Sequence, residues 1–270
     1  MAAHYETPAL KAAITGAIQA AGLDPAHVSP DDLAPLEEFH TLGRQATIEL
    51  AELAGVTRAS SILDVGAGLG GPARLLASRY GAHVTALDLT AAYCDAARML
   101  GELTGLSELV EVHRGDALEL PFAAASFDLV WTQHASMNIA DKPRLYGEIS
   151  RVLRPGGRFA MFDIVAGEVS PIHFPVPWAP DPSISFLESI GRIRSMLLAA
   201  GFTIRVWEDL TARVLAWFEG RAASARGAPT TIGLHLLAPD MPEKLANQAR
   251  NVREHRVRFL RAVLTSSTRG

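Results

Sequence analysis

Cysteine is almost absent from this chain of 270 residues. Cys94 stands alone, which excludes an internal disulfide framework and a cysteine-rich zinc site and fits a reducing, cytoplasmic setting. A basic excess is lacking too: 25 Lys and Arg stand against 29 Asp and Glu, for a net charge of −4. That balance argues against a protein that works by clamping nucleic acid, which needs a strong positive field. No apolar run has the length of a membrane-spanning helix. Residues 1–23 carry Glu6, Lys11 and Gln19 in a helical pattern, without the basic start and continuous apolar core of a secretory signal. Internal repeats and low-complexity tracts are missing as well. The 49% hydrophobic content is enough for one large, soluble α/β domain with an appendage.

Glycine, in contrast, is concentrated where it has chemical meaning. The apolar run Ser61-Ile62-Leu63-Asp64-Val65 enters Gly66-Ala67-Gly68-Leu69-Gly70-Gly71, and a second run, Val84-Thr85-Ala86-Leu87, ends in Asp88. A strand, a glycine-rich turn, a helix and a second strand ending in an acid make a nucleoside-binding unit. The glycines reach backbone angles closed to other residues and leave no side chain between backbone and ligand, while the acid accepts from ribose hydroxyls. Gly66, Gly68 and Gly71 also satisfy G-x-G-x-x-G, so a dinucleotide-dependent oxidoreductase stays in view. Asp64 favours a different ligand. It lies in the end of the first strand, where dinucleotide folds are usually apolar, and there it orients the loop or accepts from an ammonium group.

Around this unit the patterning predicts an N-terminal helix over about Ala9–Ala21, a Pro- and Asp-rich connector over Asp24–Pro35, and a second helix over about Leu36–Ala54, broken or bent near Gly43. Strands are predicted at about 61–65, 83–88, 109–114, 127–133 and 157–165, with helices starting at Pro72 and near Ala91 and Lys142. Pro155-Gly156-Gly157 punctuates the last helix before strand five. Regularity fails over Glu168–Asp181. A helix then carries Phe186, Ile190, Ile193 and Leu197 toward the core, followed by a strand over Phe202–Glu208, helices over Asp209–Ala223 and Pro242–Arg253, and a last strand over Val257–Leu264. Alternating strands and helices argue for a seven-stranded, mostly parallel, Rossmann-like sheet covered on both faces. The expected division is a helical cap at 1–55 and the sheet domain at 56–270, with an acceptor-side insertion at about 168–182.

Further motifs follow in order: Gly115-Asp116-Ala117-Leu118-Glu119-Leu120-Pro121-Phe122, Ser126-Phe127-Asp128-Leu129-Val130-Trp131 and Arg151-Val152-Leu153-Arg154-Pro155-Gly156-Gly157. With the glycine turn and Asp88, the set resembles the class I S-adenosylmethionine-dependent methyltransferases of small molecules over about residues 40–167. Trp131-Thr132-Gln133-His134-Ala135-Ser136-Met137-Asn138-Ile139 and the upstream Glu38-Phe39-His40-Thr41-Leu42-Gly43-Arg44 resemble, within that group, the sarcosine/dimethylglycine N-methyltransferases and the tocopherol and quinone methyltransferases.

The resemblance implies S-adenosylmethionine as cofactor, no metal, and a small-molecule acceptor, with an amine nitrogen expected first and carbon or oxygen methylation of a quinone or phenol as the alternative. It implies that Gly66, Gly68 and Gly70 approach the cofactor, Asp88 takes the ribose, Leu89 packs on adenine, Asp116 and Ala117 border it, and Gln133 and His134 face the methionine end. Arg44 is the candidate partner of the methionine carboxylate. His134 is the candidate base or positioning group. His134, Asn138, His173 and Trp178 are the candidate acceptor contacts, Trp178 and Phe174 as aromatic walls that attract a methylated ammonium. A homodimer is compatible with the sequence. A cofactor-binding protein without catalysis is the remaining alternative. The basic run Arg250, Arg253, Arg256, Arg258 and Arg261 reads as a solvated face, or as a surface for an anionic acceptor or membrane.

Overall fold

The computed structural model describes residues 10–37, 40–224, 231–237 and 240–267. Seven strands form one sheet in the order β3-β2-β1-β4-β5-β7-β6: β1 Ser61–Val65, β2 His83–Asp88, β3 Val110–Arg114, β4 Phe127–Gln133, β5 Leu153–Ala166, β6 Phe202–Asp209 and β7 Val257–Ser266. The first five run parallel, and β7 inserts antiparallel between β5 and β6. From β1 the chain crosses to β2 on one side and returns to β4 on the other. That reversal opens a crevice at the carboxyl ends of β1 and β4.

Alternation along the strands feeds two apolar layers. Ile62, Leu129, Trp131 and Phe162 face one side, where helices α3 (Gly43–Ala54), α4 (Gly71–Tyr80), α8 (Thr211–Ser224) and α9 (Met241–Arg253) supply Leu50, Leu76, Val214 and Val252. Leu63, Val130, Phe159 and Met161 face the other, against Leu145 and Ile149 of α6 (Lys142–Val152) and Ile193 and Leu197 of α7 (Ile190–Ala199). A third cluster holds the N-terminal helices α1 (Leu10–Ala20) and α2 (Pro30–Glu37) over the glycine turn: Leu10, Ile14, Ile18, Leu33 and Leu36 pack with Leu69, and with Tyr93 and Leu100 of α5 (Ala91–Leu103). Five buried aliphatic side chains at roughly 2 kcal/mol each contribute on the order of 10 kcal/mol to that docking. The N-terminal helices pack directly over the glycine turn.

The structure corrects several boundaries. The Pro- and Asp-rich connector is largely helical: Asp24 caps a short 3-10 turn at Pro25–His27, and α2 begins at Pro30. Leu36 therefore belongs to α2, and the next helix starts at Gly43. Strand β5 starts at Leu153, ahead of the Pro-Gly-Gly turn. Phe186 is not helical, because the chain makes a 3-10 turn at Pro182–Ile184 and α7 begins only at Ile190. The C-terminal arginines are largely paired: Arg250 and Arg256 with Glu254, Arg258 with Asp209, and Arg261 with Glu49 and Glu208. Glu38 and Phe39 lie outside the described residues. No helix among the described residues is long and apolar enough to cross a membrane.

Candidate active site

At the switch point lies a cavity of about 300 Å³. Strand β1 delivers Asp64 and the glycine turn, β2 delivers Asp88, Leu89 and Thr90, and the end of β3 delivers Gly115, Asp116 and Ala117. The end of β4 delivers Gln133, His134 and Ala135, while Leu36, Glu37 and His40 close it from the N-terminal side.

The turn is held from behind by β2. Gly66 and Ala67 donate their N–H groups to the Leu87 carbonyl at 2.8 and 3.1 Å, and Gly68 N–H donates to Asp88 Oδ2 at 2.9 Å. Gly66, Gly68 and Gly70 have φ of 76°, 56° and 78°, a region where a Cβ is strained. The two glycines nearest the strand differ in what a side chain would meet. A Cβ on Gly66 would lie 2.6 Å from Ala135 Cβ, whereas on Gly68 it would enter space empty to 4 Å. Gly66 is needed for packing of the β1 and β4 ends; Gly68 leaves room for a ligand. Gly66→Ala is expected to cost about 2 kcal/mol of stability and at least about tenfold in cofactor affinity. Chemical unfolding and calorimetry measure both.

Two carboxylates face the cavity in different states. Asp88 is fixed at both oxygens, Oδ1 by Thr90 N–H at 2.8 Å and Oδ2 by Gly68 N–H. Burial raises its pKa and the backbone donors oppose that rise. Each oxygen keeps a further lone pair for a hydroxyl. Asp64 is 1% exposed, its Oδ2 has no hydrogen-bond partner, and burial followed by the Asp88 charge pushes its pKa to about 7. An orphaned buried carboxylate on a cavity wall fits a cationic ligand.

At the opposite wall His134, itself at φ 51°, packs its ring against Phe162 and Phe259, with centroids 4.9 and 5.8 Å away, and meets His40 edge-on at 6.2 Å. Its Nε2 is 3.4 Å from Thr41 Oγ1. Burial, then His40, holds the His134 pKa well below the imidazole range, and burial brings His40 down to about 4. Both rings are neutral at pH 7. Gln133 accepts from Thr47 Oγ1 at 3.1 Å and Trp131 Nε1 at 3.3 Å through Oε1, while its buried Nε2 has no hydrogen-bond partner.

The cavity brings together Asp64, Gly66, Gly68, Asp88, Leu89, Asp116, Ala117, Gln133, His134 and Asn138. Gly70 is set back as the residue before α4. Arg44, His173 and Trp178 do not line it. The guanidinium of Arg44 turns to the Pro30 carbonyl and Asp31. His173 pairs with Glu254 at 2.7 Å, on α9's side of the molecule. Trp178 is fully buried, with Nε1 on Ser185 Oγ and its carbonyl on the Asn138 amide. Phe174 likewise packs against the core rather than the cavity.

Sequence reasoning missed Leu36, Glu37, His40, Phe186 and Leu237 as wall residues. It also missed two buried charges behind them. Arg74 of α4 is fully buried and bonds Glu37 and the Leu69 carbonyl, tying α2 to the glycine turn. Lys142 gives its ammonium to the carbonyls of Ser136, Ile139 and Phe186 at 3.0, 2.9 and 2.6 Å. A lone cation in a sequence carries no sign of burial.

A doubly wound sheet with this order, a glycine turn beside the buried Asp64 and a backbone-anchored acid at the end of β2 go with a sequence similar to the S-adenosylmethionine-dependent methyltransferases. The chain matches, over residues 63–161, the family described as Methyltransferase domain. It is 32% identical, over 72% of its length, to a glycine/sarcosine/dimethylglycine N-methyltransferase of Actinopolyspora halophila, of which it covers 35%. It is 37% identical, over half its length, to the methyltransferase GfsG of Streptomyces halstedii, of which it covers 48%. The chain thus spans less than half of either relative. Among solved structures, a sarcosine dimethylglycine methyltransferase from Galdieria sulphuraria, described as putative, superposes with a TM-score of 0.63 at 23% identity, over 83% of this chain and 86% of that one.

Proposed function

We propose that the protein is an enzyme that transfers the methyl group of S-adenosylmethionine to a small-molecule acceptor, an amine nitrogen first and a phenol oxygen or ring carbon second. The observation that carries this reading is the pair of carboxylates at the ends of β1 and β2, one fixed by the glycine turn and one orphaned, on the same cavity as a neutral histidine. The cofactor supplies an electrophilic methyl group on a sulfonium sulfur. Asp88 would hold the ribose hydroxyls, Asp64 the ammonium of the methionine part, Asp116 and Ala117 the adenine edge and Leu89 its face. The Gln133 amide, with its unpartnered Nε2, would serve the methionine carboxylate.

The residues have mainly to align the acceptor, because the positive charge on sulfur vanishes as the methyl leaves. Desolvation keeps His134 unprotonated, and the same surroundings lower the pKa of an entering amine, so the nitrogen reaches the methyl with its lone pair free. His134 then accepts the acceptor's hydrogen bond and aims it. His134→Asn is expected to lower kcat about a hundredfold with cofactor affinity unchanged, as measured by steady-state kinetics and calorimetry. Asparagine tolerates φ near 51°, so the variant isolates the imidazole.

A screen with methyl-labelled cofactor over amines, phenols and quinones tests the reading. Tight NAD binding with no affinity for S-adenosylmethionine or S-adenosylhomocysteine would favour the oxidoreductase alternative; cofactor binding with no transfer to any acceptor would favour the non-catalytic one. A cytoplasmic enzyme in which residues 1–55 cap the site belongs to the same reading, supported by the single cysteine and by Leu36 and Glu37 on the cavity wall. Sedimentation analysis tests the homodimer.

A further inference from the structure

We propose, resting on the methyltransferase reading above, that the acceptor is an uncharged, apolar molecule presenting its nucleophile on a hydrocarbon or aromatic body, and not an acceptor bearing a carboxylate or phosphate. Beyond the residues that cradle the cofactor, the cavity is walled by Leu36, Ile139, Ala140, Phe186 and Leu237. Phe186 is 36% exposed, yet its backbone is fixed on both sides: its N–H donates to the Met137 carbonyl at 2.8 Å and its carbonyl accepts from Lys142 Nζ at 2.6 Å. An exposed aromatic ring on an anchored backbone at the rim of a cavity is a hydrophobic contact surface for whatever enters.

The polar groups around it point to the same class. Among the described residues, the charged side chains lining the cavity are all acidic: Glu37, Asp64, Asp88 and Asp116. The buried cations nearby, among the described residues, are committed to other partners. Arg74 holds Glu37, and the three protons of the Lys142 ammonium match three backbone carbonyls. Asn138, which does reach the cavity, donates its amide to the Trp178 and Ile184 carbonyls, both at 2.8 Å. The two imidazoles are neutral. A second carboxylate, brought to the apolar wall beyond the Gln133 amide that would serve the cofactor's own, would lose its water and, among the described residues, meet no side-chain cation there. A neutral amine, phenol or ring carbon on an apolar body would be desolvated at far smaller cost, offset by burial of its hydrocarbon.

The experiment uses the full chain saturated with S-adenosylhomocysteine and three calorimetric probes: 4-propylphenol, 3-(4-hydroxyphenyl)propanoate, which is nearly the same shape with a carboxylate, and dimethylglycine. The phenol is expected to bind at least about tenfold more tightly than either carboxylate. Phe186→Ala is expected to weaken the phenol about tenfold while S-adenosylhomocysteine affinity stays unchanged. Equal or tighter binding of either carboxylate overturns the assignment, and so does the failure of all three probes to bind the cofactor-loaded protein. Failure to bind S-adenosylhomocysteine at all overturns instead the reading on which the assignment rests.

Discussion

Asp88→Ala is expected to abolish cofactor binding, with S-adenosylhomocysteine affinity falling about a thousandfold or more in calorimetry while the protein stays folded. The carboxylate has two tasks. Toward the ligand it offers a lone pair on each oxygen to the ribose diol, and charge-assisted bonds of this kind contribute about 1.5–3 kcal/mol each. Two of them amount to roughly two to four powers of ten in affinity. Toward the protein it fixes the Gly68 and Thr90 N–H groups at 2.9 and 2.8 Å, so alanine also releases the tip of the turn that must lie against the ligand. Asp88→Asn separates the two tasks. An amide keeps one acceptor and the shape but loses the charge and the second acceptor, and it is expected to fall between wild type and alanine, about a hundredfold weaker than wild type. Full affinity in the alanine variant would mean that the ribose lies elsewhere in the cavity.

The parts of the fold that depend on local pattern were readable from the residues, and those that depend on direction were not. Buried parallel strands announce themselves as apolar runs, and β1, β2 and β4 lie where the runs predicted. Helix α2 was hidden because Pro30, Asp31 and Asp32 read as a connector, although proline and acids also suit a helix's first turn. Phe186 shares a helical spacing with Ile190, Ile193 and Leu197, but only the last three are in the helix; Phe186 lies in the irregular segment between the 3-10 turn and α7 and lines the cavity instead. The cavity residues anticipated at the ends of β1, β2 and β3 came from short segments whose geometry the turn itself dictates. On the acceptor side, His173 and Trp178 have suitable chemistry in an irregular segment, and tertiary packing turned one to Glu254 and the other into the core. Arg44 shows the same limit, since a helix position fixes a side chain's origin but not its partner.

Asp64→Asn is expected to stabilise the protein at pH 8 and weaken it as a cofactor binder, because the wild-type carboxyl is maintained at a cost to the fold. In the folded chain burial holds its pKa at about 7, whereas in the unfolded chain it returns to the ordinary value near 4. Between these values the folded state binds more protons than the unfolded one, so stability declines as pH rises through that window. The contribution of the protonated acid is fully present below about pH 4 and is lost once pH passes about 7. At roughly 1.4 kcal/mol per unit, the total is on the order of 2–4 kcal/mol. An amide of the same shape has no proton to lose. At pH 8 the variant's Tm should exceed wild type by on the order of 5 °C, and the gain should shrink to nothing toward pH 4. Binding should change in the opposite sense. A cationic cofactor favours the ionised acid, so wild-type affinity for S-adenosylmethionine should rise with pH toward 7, and binding at pH 6 should release a proton, visible as a dependence of the calorimetric heat on the buffer's ionisation enthalpy. The variant should bind about tenfold or more weakly with no proton release. A variant with wild-type Tm at pH 8, or wild-type binding that moves no proton at pH 6, would mean that Asp64 has a partner in solution and that the cofactor's ammonium is held by another group.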